Sequence, residues 1–66
     1  MIIRINGKEE AIPPGLTVAD LLAARGLAPV RVAVEINENL VPRRDYGVVR
    51  LAEGDAVEIV TFVGGG

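Results

Sequence analysis

The sequence predicts an α+β domain in which one main helix packs on one face of a mixed sheet of four to five strands. Three observations predict this class: short β-branched runs between turn residues, a single capped segment with helical spacing, and two strands that are apolar on both sides. A chain of 66 residues has room for one domain. We expect that domain to cover residues 1–63, followed by a flexible glycine tail at residues 64–66.

A β-hairpin opens the predicted domain. Residues 1–5 are mostly apolar and β-branched, and Asn6-Gly7 follows as a strong hairpin signal, because both central positions of a type I′ turn need positive φ. Residues 8–12 should therefore return antiparallel to the first strand. Pro13-Pro14-Gly15 ends the second strand, since proline has no N–H to donate.

One helix follows the hairpin. Thr17 is the predicted N-cap, and Asp20 stands three residues later, which gives a pair resembling a capping box. Gly26 stands where a helix is expected to end with a left-handed residue. The apolar side chains that helical spacing brings to one face, and that should cover the core, are Val18, Leu21 and Leu22.

The second half of the chain reads as further strands. Residues 31–36 alternate in the manner of a strand. Residues 40–41 should form a short edge strand that Pro42 stops, and residues 56–63 should form the last strand. Residues 1–5 and 57–63 are apolar on both sides, which is typical of central strands, so we expect them to lie side by side. The side chains that should then face the helix are Ile3, Ile5, Val57 and Ile59.

This arrangement leaves Ile2, Val60 and Phe62 on the opposite face of the sheet, where no second helix is predicted. An open apolar patch usually marks a surface that binds a partner, and the patch leads through Val63 to the end of the chain. The alternatives are that Leu40, Val41 or Tyr46 folds over the patch and hides it, or that these residues are scattered apolar side chains of an ordinary surface.

Composition excludes several classes of function. The chain has no Cys and no His, and its Asp, Glu and Asn residues are dispersed, so we expect no metal site, no disulfide and no catalytic residue. Seven basic and nine acidic residues are scattered along the chain, with a net charge of −2, which argues against nucleic acid as a partner. The apolar runs are too short to cross a membrane and the start lacks a signal peptide, so a cytoplasmic location is expected.

The last residues carry the strongest functional signal. An apolar run ends in Val63 and continues directly into Gly64, Gly65 and Gly66. Consecutive glycines offer a thread narrow enough to enter a tunnel, and a terminal glycine offers an unhindered carboxylate that another enzyme can activate. The alternative is an ordinary frayed terminus.

Taken together, these segments resemble the ubiquitin-like β-grasp family, and within it the bacterial sulfur carriers of thiamine biosynthesis. The resemblance covers the whole chain and rests on the order of several short motifs. They are the opening Ile5-Asn6-Gly7-Lys8, the helix start at residues 16–22, the strand at residues 33–37, Val41-Pro42-Arg43, Glu53-Gly54-Asp55, and the ending at residues 62–66.

The resemblance implies a protein substrate and not an enzyme. It implies that an E1-like adenylating enzyme uses ATP to activate the Gly66 carboxylate, and that a desulfurase system then supplies sulfur to give a thiocarboxylate. A thiazole synthase would take that sulfur into the thiazole of thiamine, while Gly64 and Gly65 thread into both active sites. The chain itself would bind no cofactor. The surface contacting these partners would comprise Ile2, Val60, Phe62 and Val63.

Three other functions stay open at this point. A chain resembling the small subunit of molybdopterin synthase would share the fold and the tail but deliver sulfur to a pterin precursor. A ubiquitin-like protein modifier would join its terminal glycine to lysine amines. A plain interaction module would use the apolar patch alone.

Overall fold

The computed structural model describes residues 1–62. Over this range the chain forms one α-helix and a five-stranded mixed sheet with the strand order β2-β1-β5-β3-β4. Short 3-10 turns at Pro29–Arg31 and Arg43–Asp45 precede β3 and follow β4. In chain order the main elements are β1 (Ile2–Ile5), β2 (Lys8–Ala11), α1 (Val18–Ala24), β3 (Val32–Ile36), β4 (Asn39–Val41) and β5 (Ala56–Thr61).

The hairpin prediction is confirmed. β1 and β2 pair antiparallel from Ile2 opposite Ala11 to Ile5 opposite Lys8. Asn6 and Gly7 have φ values of 49° and 84°, which are the positive angles that a type I′ turn requires.

The predicted capping box at the start of α1 is present in full. The Asp20 N–H donates to the Thr17 hydroxyl at 3.1 Å, and the Thr17 N–H donates to the Asp20 carboxylate at 3.0 Å. Each bond satisfies a donor that the first turn of a helix leaves free. The bonds from Thr17 also hold the pKa of the Asp20 carboxyl below its ordinary value, because they favour the charged form.

The end of α1 confirms the predicted left-handed glycine. Gly26 has a φ of 70° and its N–H donates to the Ala23 carbonyl at 3.1 Å, while the Leu27 N–H donates to the Leu22 carbonyl at 2.9 Å. This pair of bonds is the Schellman pattern. Leu27 is partly buried against the core.

The two strands with apolar residues on both sides lie next to each other inside the sheet, as predicted. β1 and β5 run parallel with Arg4 opposite Ala56, and β5 pairs antiparallel with β3 on its other side. The core lies between the sheet and α1. Its buried side chains are Ile3, Ile5, Val18, Leu21, Leu22, Val32, Val34, Val41, Tyr46, Leu51, Val57 and Ile59.

The segment between β4 and β5 covers the start of the helix. The N–H groups of Val18 and Ala19 donate to the carbonyls of Val49 and Tyr46 at 3.0 and 2.8 Å. These loop carbonyls therefore satisfy two more free donors of the first turn. Within the described part of the chain, no helix is long and apolar enough to cross a membrane.

Candidate docking face and chain end

The face of the sheet opposite α1, called the open face below, has no layer packed over it within residues 1–62. Residues alternate between the two faces along each strand, so the buried positions of a strand identify the exposed ones as open-face residues. The open-face side chains of the strands are Ile2, Arg4, Glu9, Ala11, Ala33, Glu35, Leu40, Ala56, Glu58 and Val60.

The structure separates one of the predicted patch residues from the others. Ile2 is 43% exposed and lies on the open face, as expected. However, its carbonyl accepts from the Gly54 N–H at 2.8 Å, which places Ile2 level with Gly54. Val60 lies six residues beyond Gly54 in the direction of β5, which corresponds to about 20 Å at the rise of a β-strand. Ile2 therefore does not form one continuous patch with Val60 and Phe62, because the parallel register sends them to opposite ends of the sheet.

Val60 and Phe62 do lie together at the end of β5. Val60 is 57% exposed and sits opposite Ala33, and Phe62 is 52% exposed. Phe62 borders a concavity of about 210 Å³, called the Phe62 groove below. The residues that line it are Val32, Ala33, Leu40, Val41, Pro42, Arg43, Tyr46 and Phe62.

The alternative in which a neighbouring side chain hides the patch is wrong. Val41 and Tyr46 are buried in the core beneath the sheet, and Leu40 is 66% exposed beside the groove. Leu40 therefore enlarges the exposed apolar surface instead of covering it.

Backbone hydrogen bonds hold Phe62 in place. Thr61 is the last residue of β5 and lies opposite Val32, and the Phe62 N–H donates to the Arg31 carbonyl at 2.9 Å. The Arg43 guanidinium donates from Nε to the Pro29 carbonyl at 3.0 Å, which joins the two 3-10 turns that flank the groove. The Phe62 groove thus has a fixed backbone on both sides.

Charge is unevenly distributed around the groove. Arg31 lies beside Phe62, Arg43 lines the groove, and Arg44 is the next residue in the same 3-10 turn. On the other side of the groove, Glu35 and Glu58 lie directly opposite each other on neighbouring strands of the open face. The apolar surface is therefore bordered by arginines towards the chain end and by carboxylates towards the middle of the sheet.

The remaining predicted site residues are Val63, Gly64, Gly65 and Gly66, and they lie outside the described residues. Their roles in partner binding, threading and activation stay predictions. Among residues 1–62, no group of His, Cys, Asp and Glu side chains is placed to hold a metal ion. Every buried side-chain nitrogen or oxygen in that range has a hydrogen-bond partner.

Sequence reasoning missed part of the groove. It did not assign Ala33, Pro42, Arg43 or Arg31 to the surface that carries Phe62. One signal was available for Leu40: once Val41 faces the core, alternation along β4 sends Leu40 to the open face.

Comparisons with known proteins converge on one family. A family model described as the ThiS family matches residues 3–66. The sulfur carrier protein ThiS of Bacillus subtilis is 38% identical over 66 residues, and the match covers 98% of this chain and 100% of that protein. A crystal structure of the thiamine biosynthesis protein ThiS from Geobacter metallireducens has a TM-score of 0.85 and 35% sequence identity, with all of both chains covered.

Two larger relatives contain a similar segment. A thiazole synthase of Magnetococcus marinus is 46% identical over 66 residues, and one of Paramagnetospirillum magneticum is 42% identical over the same length. The match covers 100% of this chain and 20% of each thiazole synthase, so the chain spans about a fifth of their length.

Proposed function

This chain belongs to the ThiS family, the sulfur carrier proteins of thiamine biosynthesis, and from that membership we propose that it carries sulfur as a thiocarboxylate on Gly66. The observation that carries the proposal is that the family match extends through the three glycines, directly after a fold that leaves Phe62 exposed. The fold supplies a surface for partner enzymes, and the glycines supply the reacting group.

Activation of Gly66 solves a chemical problem. A free carboxylate is a poor electrophile, so sulfur cannot replace its oxygen directly. An oxygen of the carboxylate attacks the α-phosphorus of ATP in an adenylating enzyme, and pyrophosphate leaves. The product is an acyl-adenylate whose leaving group is AMP.

Sulfur then enters from a persulfide. The terminal sulfur of the persulfide attacks the acyl carbon, AMP leaves, and an acyl persulfide forms. A second thiol attacks the sulfur–sulfur bond, becomes part of a disulfide, and releases the thiocarboxylate. The chain has no Cys, so the persulfide and the second thiol both come from partners.

The proposed acceptor enzyme is a thiazole synthase. Two thiazole synthases contain a segment similar to this whole chain, which supports a direct working relationship between carrier and synthase. On delivery to the growing thiazole, an oxygen atom from water or from the acceptor substrate replaces the sulfur, which returns Gly66 to the carboxylate, so the carrier is regenerated and can be activated again.

The test is the intact mass of the 66-residue protein after incubation with the adenylating enzyme of its host, ATP and a persulfide source. The mass should rise by the difference between one sulfur and one oxygen atom, and omission of ATP should abolish the rise. A variant without Gly66 is the matched control and should stay unmodified. If the full chain never gains sulfur under conditions in which the enzyme consumes ATP, the proposal is wrong.

Transfer of the sulfur distinguishes the thiamine role from the other functions. With a thiazole synthase and its small-molecule substrates, the sulfur should leave the protein as thiazole phosphate appears. Transfer to a pterin precursor instead would identify a molybdenum-cofactor carrier. Products of higher mass joined through lysine would identify a protein modifier.

A further inference from the structure

The Phe62 groove has properties that a general apolar patch lacks. Most of the residues that line it are apolar, and two of these, Leu40 and Phe62, have exposed side chains. Arg43 lines the same concavity. A groove with an apolar lining and a cationic rim fits a protein segment that presents an apolar side chain next to a carboxylate.

Arginines are concentrated near the groove. The chain is acidic overall, with a net charge of −2, yet three of its seven basic residues lie in the two 3-10 turns at this end of the sheet. The three are Arg31, Arg43 and Arg44. Among residues 1–62 the one ion pair joins Arg25 to Glu10 at 2.9 Å, so no carboxylate of that range, including Asp45 in the same 3-10 turn as Arg43 and Arg44, forms an ion pair with the cluster.

The opposite border of the groove has the opposite charge. Glu58 and Glu35 face each other across β5 and β3, and Leu40 is the next residue in the same row on β4. Like charges directly opposite each other destabilise a sheet, and the described part of the chain places no hydrogen-bonding cation beside them. The pair is therefore free to bind a cation from outside.

The length of the chain beyond the groove links this surface to the chemistry. Four residues follow Phe62, and four fully extended residues span at most about 14 Å. An enzyme that holds Gly66 in its active site must therefore contact the carrier within that distance of Phe62. Surfaces at the far end of the sheet, such as the one around Ile2, are too remote for this contact.

We infer that the Phe62 groove docks a segment of the thiazole synthase in which an apolar side chain is flanked by carboxylates on one side and by a basic residue on the other. The carboxylates of the synthase segment pair with Arg31, Arg43 and Arg44, and its basic residue pairs with Glu35 and Glu58. Because the two borders differ in sign, they fix which way the carrier sits and direct the glycines towards the active site. This inference rests on the proposed function.

Binding of the unmodified 66-residue chain to the thiazole synthase of its host tests the inference without requiring sulfur transfer. Arg31→Glu and Arg44→Glu should each weaken the affinity about tenfold or more, and Glu58→Lys should do the same. Lys8→Glu and Glu38→Lys are the matched controls, because both residues are exposed, Lys8 lies on the outer strand β2 and Glu38 lies in the turn between β3 and β4. The controls should bind like the wild type.

Salt provides a second readout that a merely structural effect would not give. The affinity of the wild type should fall between about 50 mM and about 500 mM NaCl, and the double variant Arg31→Glu, Arg44→Glu should show a smaller dependence. Circular dichroism should give the wild-type melting curve for the arginine variants and an equal or higher midpoint for Glu58→Lys, which replaces a like-charge pair by an opposite-charge pair, so that lost docking is separated from lost folding.

The inference is overturned if the arginine variants bind like the wild type, or if Lys8→Glu weakens binding to the same extent. It is also overturned if these variants impair adenylation while synthase binding is unchanged, because the groove would then serve the adenylating enzyme. A wild-type chain that gains sulfur in the mass assay but does not bind the synthase would refute the inference and leave the carrier function intact.

Discussion

The side-chain amide of Asn6 forms two hydrogen bonds with the backbone of Ile59. The Ile59 N–H donates to Asn6 Oδ1 at 2.8 Å, and Asn6 Nδ2 donates to the Ile59 carbonyl at 3.1 Å. β1 ends at Ile5 and the chain turns away, so the amide of Asn6 continues the pairing with β5 where the backbone of β1 no longer can. Asn6 thus adopts the backbone conformation of the turn and also extends the hydrogen bonding between β1 and β5.

Replacement of Asn6 by Ala should destabilise the fold by about 1–3 kcal/mol, because it leaves the Ile59 N–H without its partner. Ala also tolerates the positive φ of 49° poorly. Asn6→Gly separates the two effects, since glycine accepts that angle but has no amide. Urea unfolding should rank the wild type above Asn6→Gly and Asn6→Gly above Asn6→Ala. Equal stability of Asn6→Gly and the wild type would show that the two hydrogen bonds contribute nothing.

Leu21 fills the core beneath the central strands and is almost fully buried. Leu21→Ala should cost on the order of 2–5 kcal/mol, a loss that a domain of this size tolerates poorly. Leu40→Ala is the matched control, because the same atoms are removed from an exposed side chain. Its unfolding midpoint should stay close to that of the wild type. A wild-type midpoint for Leu21→Ala would contradict the packing of α1.

Acid should weaken the start of the helix through Asp20. The pKa of Asp20 is lowered in the fold, first by the hydrogen bond from the Thr17 backbone and then by the Thr17 side chain. A lowered pKa stabilises the fold above the ordinary value of 3.8, and this contribution disappears as the pH falls through the lower value of the folded state. The wild type should therefore exceed Asp20→Asn in stability near neutral pH, and the difference should shrink below pH 3.8.

Thr17→Ala provides the control for this titration. It removes the hydroxyl cap and should cost about 1 kcal/mol near neutral pH. It keeps the backbone N–H that accounts for the largest part of the pKa shift, so most of the pH dependence should remain. If the stability difference between Thr17→Ala and the double variant Thr17→Ala, Asp20→Asn does not shrink below pH 3.8, the hydroxyl, and not the backbone, holds the charge of Asp20.

The features that the sequence predicted correctly depend on local chemistry. Asn6-Gly7 identifies the hairpin, while Thr17, Asp20 and Gly26 identify the ends of α1, because each needs only the residues beside it. The central position of β1 and β5 follows from their apolar composition alone. These signals identify the hairpin, the ends of the helix and the two central strands.

The candidate site was harder to predict because it depends on register between distant segments. Only the pairing of Arg4 with Ala56 shows that Ile2 lies far from Val60. Similarly, Arg31 and Phe62 are far apart in sequence and become neighbours through the antiparallel pairing of β3 and β5. The alternation of apolar and polar residues identifies the side of the sheet on which a residue lies. It does not identify which residues of the neighbouring strands lie beside it.

Phe62→Glu should leave the fold intact and weaken binding to the partner enzymes. The side chain is half exposed in the free protein, so a charge there costs little, but desolvation of that charge against an apolar partner is expensive. Val48→Glu is the matched control, since Val48 is 73% exposed and lies in the segment between β4 and β5 that covers the start of α1. Calorimetry should show weaker binding for Phe62→Glu alone. Unchanged binding would remove Phe62 from the interface.

Gly65→Val should abolish activation while leaving the fold as stable as the wild type. The substitution leaves every core side chain of the described residues, from Ile3 to Ile59, unchanged. A branched side chain should nevertheless block a tunnel shaped for glycine, and deletion of Gly66 should leave the carboxylate too short to reach the α-phosphorus of ATP. ATP–pyrophosphate exchange with the adenylating enzyme measures both effects, and Ala11→Val on the exposed edge of the sheet is the matched control. Normal exchange by both tail variants would show that the glycines are not the substrate, and the carrier function would have to be abandoned.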